Sequence, residues 1–192
     1  MSIIEMVVYI SISTLIVAAI VISVIFFYRT NTTVMEQSLH INHARKGIEF
    51  MVRDIREATY GDEGSFPLIE LGPYNFSFYS DVDRDDYTER IRYSLDGTNL
   101  YKGVTNPSGN PLWYNDADEE VATISEAVRN DEEGVAIFKY YDSAGVEIVD
   151  YTAVSEVSFV TVTLVININV IRKPDEYTLR SSATIRNLKT NL

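Results

Sequence analysis

Glu5 is a carboxylate at the mouth of a run otherwise fit for lipid: from Met6 to Tyr28 no residue is charged. A charge held inside hydrocarbon costs about 2.5–3.5 kcal/mol even on the mild insertion scale. Glu5 therefore lies at a water surface or meets a cation. A second group of carboxylates, Asp81, Asp83, Asp85 and Asp86, is crowded into "SDVDRDDYTER". Carboxylates at every second position supply the oxygen ligands that calcium takes. An EF-hand counted from Asp81 needs Gly in sixth place and Glu in twelfth, and Asp86 and Arg92 stand there instead. The segment reads as a calcium loop of another kind or as an acidic, solvated turn between two strands. His40 and His43, with Glu36 one turn earlier, would hold zinc only if all three converged. Polar side chains on the solvent face of a helix are the simpler reading for them. The chain has no cysteine, which excludes disulfides, thiolate metal sites and thiol nucleophiles. No GxSxG, phosphate loop or HExxH occurs. The expectation is a protein that is not an enzyme, with no catalytic residue and no cofactor beyond calcium at the Asp81–Asp86 turn.

The charge is unevenly spread over the 192 residues. Residues 1–60 hold five basic side chains (Arg29, Arg45, Lys46, Arg53, Arg56) and five acidic ones (Glu5, Glu36, Glu49, Asp54, Glu57), so the net charge of −12 belongs to the remainder. Nucleic acid is gripped by clustered Lys and Arg, and no direct nucleic-acid site is expected. Two glycosylation patterns, at 31–33 and 75–77, read more simply as unmodified polar residues. Of the thirteen tyrosines, most lie in the strand-rich part, among them Tyr74, Tyr79, Tyr87, Tyr93, Tyr101, Tyr140 and Tyr141. They either fill one side of a sheet or make contacts outside it.

These residues are carried by a simple series of elements. The apolar run does not end as a helix at Arg29. Val34, Leu39, Ile41, Ala44, Ile48, Met51, Val52 and Ile55 fall mostly at spacings of three, four and seven, which is one face of an amphipathic helix. No proline precedes Pro67, and Gly47 is the only glycine before residue 60. The spacing predicts a nearly continuous helix from about residue 2 to 59, roughly 85 Å at the usual rise. Its first half (1–28) is apolar all round, and its second (29–60) offers one face to a core. "GDEGSFP" at 61–67 breaks the pattern. Strands follow over 74–80, 88–95 and, after an Asp-Gly turn, 98–104. Residues 106–111 read as a loop and 119–130 as a strand or a short helix. Strands are expected over 134–142 and 146–151 as a hairpin, then over 156–170 and 176–188. The fold class is α+β, with residues 61–192 an antiparallel, Tyr-rich β-sheet domain.

The start "MSIIEMVVYISISTLIVAAIVISV" resembles the type IV pilin and pseudopilin superfamily, whose mature chains carry a hydrophobic first residue and Glu in fifth place. "RKGIEFMVRDIREA" and "LRSSATIRNLK" are similar to W-type minor pilins and J-type pseudopilins. Thr14 and Ile22 stand where many members have a helix-breaking Gly and Pro, and the common disulfide loop is missing. The resemblance implies a long helix with a protruding apolar half packed on an antiparallel sheet domain. It implies that Met1 is the processed, N-methylated residue left by a leader peptidase. It further implies a subunit of a type IV pilus-like extracellular filament, drawn from the cytoplasmic membrane by an inner-membrane assembly platform. The partners are then other copies of the chain and related pilins. A charged α-amino group passing the Glu5 of a neighbour in a dry helix bundle would fix the axial register. The plainer role for Glu5 is to sit in the first turn of its own helix, where the dipole favours an anion. Small residues such as Ser11, Ala18 and Ala19 let such helices approach closely. The alternatives are a secretion-type pseudopilin and a membrane-tethered binding or sensory domain that does not polymerise.

Overall fold

The computed structural model describes residues 2–167 and 177–186; within the first helix the side chains at 30–34, 36 and 37 are left aside. That helix, α1, runs Ile3–Arg56 without interruption, close to the expected span. Nothing in those residues stops it, and its last turn carries Arg53 and Arg56, whose charge suits the negative end of the helix dipole. The chain forms two compact units, 1–39 and 40–192. The first is the helical stretch itself. Ile3–Arg29 is long and apolar enough to cross a membrane, and none of its most apolar window is buried.

Among the described residues, the second unit holds the rest of α1 and nine strands. They are β1 (Leu68–Leu71), β2 (Asn75–Ser80), β3 (Glu89–Asp96), β4 (Asn99–Thr105), β5 (Glu120–Ser125), β6 (Phe138–Tyr141), β7 (Glu147–Ile148), β8 (Phe159–Ile166) and β9 (Tyr177–Thr184). The strands divide between two sheets rather than one. The first follows chain order, β1-β2-β3-β4-β5; the second has the order β7-β6-β8-β9. All pairings are antiparallel. Strand β1 was not expected, because "LIEL" is short and its buried ends, Leu68 and Leu71, do not alternate. The ambiguous stretch 119–130 resolves as strand β5 over Glu120–Ser125. The far ends of the two last expected strands, 168–170 and 187–188, lie outside the described residues.

The core sits between the helix and the sheets. Ala44, Ile48, Met51, Val52 and Ile55 are buried on α1. The apolar stripe is longer in the sequence than in the core: Leu39 is exposed and Ile41 half-buried, and Val34 lies outside the described side chains. Packing therefore begins near Ala44. The helix runs beside β5 at Gly47, where a Cβ would make ordinary van der Waals contact, 3.4 Å from the Ile124 carbonyl oxygen. The two sheets meet through aromatic rings. Phe76 of β2 lies 5.5 Å from Phe138 and 5.3 Å from Tyr140 of β6, centroid to centroid. Tyr140 also accepts the Gly72 N–H at 3.1 Å and donates its O–H to the Gly72 carbonyl at 2.9 Å. These contacts decide the tyrosine question for Tyr79, Tyr93 and Tyr140, which are buried; Tyr87 is exposed. Asn75 of the 75–77 pattern donates to Glu70, and Ser77 is buried.

Candidate functional site

The first candidate is the start of α1. Glu5 is exposed in the first turn and its Oε2 accepts the Ser2 backbone N–H at 3.3 Å. "Ser-Ile-Ile-Glu" has the spacing of a capping box, in which the third helical residue reaches back to the residue before the helix. That signal was in the sequence and passed unread. Met1, the other residue assigned here, lies outside the described residues. Beyond Glu5 the surface is largely apolar, with Ile4, Val8, Ile12, Leu15, Ile22 and Phe26 all exposed. Two hydroxyls in this stretch are already satisfied: Ser11 donates to the Val7 carbonyl and Thr14 to the Ile10 carbonyl, both at 2.8 Å. Such bonds remove the cost of placing a hydroxyl where no water reaches it. Glu5 is thus the one carboxylate on the apolar stretch Ile3–Arg29.

The second is Asp54, which the helical pattern did not single out. It falls between Met51 and Ala58 on the buried stripe and is fully buried. Its Oδ2 accepts the Tyr93 O–H and the Lys102 ammonium, each at 2.6 Å, and its Oδ1 accepts Arg53 Nη2 at 3.2 Å. Burial first, and then the Asp54 charge, hold the Tyr93 phenol well above its usual range. The cluster joins α1 to β3 and β4 and has all its charges met. An acid on an otherwise apolar stripe was the available signal. His40, a half-buried neighbour of this face, has Nδ1 3.9 Å from Glu126, whereas His43 is exposed.

The third is the connection 81–88 between β2 and β3. Only Asp81 and Asp83 of the four predicted aspartates converge, and they do so with Glu89, the first residue of β3. One ligand oxygen from each lies within 4.8 Å of the others. Asp85 instead accepts the Tyr87 N–H at 2.6 Å and shapes the turn. Asp81 accepts the N–H of Arg84, at 2.7 Å, in a turn where Arg84 has φ of 65°. Glu89 is 1% exposed; its Oε2 accepts the Val82 N–H at 2.9 Å, and its Oε1 has no hydrogen-bond partner. Burial above all, with smaller pushes from Asp83 and Asp85, raises its carboxyl above the usual range against the pull of the Val82 bond. A cavity of about 640 Å³ opens beside it, walled in part by Asp83, Glu89, Asp118 and Glu120.

No protein-family model matches this sequence, and no curated protein matches it. The functional reading therefore rests on the residues themselves.

Proposed function

We propose that the chain is a subunit of a type IV pilus-like filament. Ile3–Arg29 waits in the cytoplasmic membrane and then packs against the same stretch of other copies or related subunits. The sheet-bearing unit supplies the outer surface. The observation that carries this reading is the pairing of an exposed apolar helix with a single carboxylate, Glu5, in its first turn. A single anchor needs the apolar stretch, and in it the acid does no more than cap its own first turn. In a bundle of such helices the Glu5 carboxylate takes the α-amino group of a neighbouring subunit, with Met1 as the processed and methylated first residue. The bond is charge-assisted, and a copy that slips out of register leaves both charges unmatched in a dry core, which is strongly unfavourable. The Ser2 contact holds Glu5 until that partner arrives. Leader removal and extraction from the membrane fall to a leader peptidase and an assembly platform.

Glu5→Gln tests this reading. The amide keeps the shape and can still accept the Ser2 N–H, so the subunit should reach the membrane at normal level. Its incorporation into sheared filaments should fall by roughly tenfold or more, as expected for an unmatched buried charge. Incorporation of Glu5→Gln at the unsubstituted level would remove the register role.

A further inference from the structure

We propose that Asp81, Asp83 and Glu89 form a calcium site where β2 leads into β3. This does not depend on the filament reading.

Three observations converge on it. Two oxygens bound to one calcium at 2.3–2.6 Å lie at most about 5.2 Å apart. The three carboxylates already offer oxygens within 4.8 Å of one another. The second observation is Glu89. It is 1% exposed, yet Oε1 meets no donor while Oε2 is held by the Val82 N–H. A buried carboxylate oxygen without a partner is unfavourable, and native structures fill such a vacancy with a donor, a water or an ion. Among the described residues no basic side chain pairs with any of the three. Arg90 is taken by Asp116, Arg92 by Glu119 and Lys102 by Asp54. The third is access. The neighbouring cavity presents four carboxylates, Asp83, Glu89, Asp118 and Glu120, and its one lysine, Lys102, is already bound to Asp54. An incoming cation therefore meets a negative funnel that ends at Glu89.

The ligand set selects the metal. Oxygen donors alone suit hard cations and disfavour zinc and copper. Magnesium demands a regular octahedron and gives up water reluctantly, whereas calcium accepts irregular carboxylate sites with water completing the shell. Asp85 and Asp86 stay outside the site. The Val82 and Arg84 amide bonds to Glu89 and Asp81 hold the ligands in place before the metal arrives.

The test is calcium titration of the full-length chain in detergent micelles after chelation, read by calorimetry and by thermal melting. We expect one ion per chain, with half-saturation of order 10⁻⁴–10⁻³ M, the weak end of protein calcium sites. The melting temperature should rise with calcium, because the ion binds only the folded chain. Asp83→Asn, at an exposed position, and Glu89→Gln should each weaken binding tenfold or more, and Asp85→Asn should leave it unchanged. The proposal is overturned if calcium gives neither heat nor a melting shift, if Asp83→Asn binds like the unsubstituted chain, or if magnesium binds equally well.

Discussion

Asp54 links the helix to the first sheet through a carboxylate with no exposed surface. Removing one member of a buried ion pair strands the other, so Asp54→Ala should lose about 3–5 kcal/mol of stability. The loss is measured by chemical denaturation of the chain in micelles. Replacing both partners, Asp54→Leu with Lys102→Met, should cost clearly less than Asp54→Ala, since the pair itself adds little beyond satisfying its members. Equal loss in the two would mean that packing, not charge, is at stake. Individual residues were legible where their neighbours in sequence gave them meaning. Glu5 stood out against the uncharged Met6–Tyr28 run, and Asp81 and Asp83 only as two of four crowded aspartates. Asp54 did not, because its partners Tyr93 and Lys102 come from two strands distant in sequence. Glu89 joins Asp81 and Asp83 only through the course of the loop, which alternation along a strand does not encode.

Elements were easier to read than their partners. A helix without proline and with one glycine declares itself, and α1 matched its expected span to within a few residues. What the periodicity did not tell is where along that stripe a core begins. The stripe runs on through Leu39, which is exposed, whereas Met51 is fully buried. Met51→Ala should therefore cost about 2–5 kcal/mol, and Leu39→Ala less than about 0.5 kcal/mol. A melting series on the two variants checks this; equal shifts would put the start of the packed region earlier than Ala44. The division of strands into two sheets was likewise not readable. Phe76, Tyr93, Phe138 and Tyr140 all look alike as buried aromatics of alternating strands, and only the cross-sheet ring contacts separate them.

At the scale of the whole molecule, buried phenols give the folded state an alkaline limit. Burial before all else raises Tyr114 to about 12 and holds Tyr93 and Tyr140 above their usual range. The unfolded chain releases these protons near pH 10, so the folded state holds more protons above that point. Their contribution is complete below about pH 10 and falls as pH rises towards 12. Phenolate absorbance and near-ultraviolet circular dichroism, followed together, should show a late group of tyrosines ionising as tertiary structure is lost. Ionisation of all thirteen near pH 10 with structure intact would contradict the burial. The same scale holds the central claim, that the exposed apolar stretch of α1 is built for other copies. Its most direct test is mechanical shearing of cells that express the chain, with the released and membrane fractions probed by antibody and the released material viewed by electron microscopy. The account predicts labelled filaments in the sheared fraction, containing the chain with a methylated residue 1. Recovery of the chain only in the membrane fraction, in cells that shed other filaments, would contradict it and leave a tethered domain in its place.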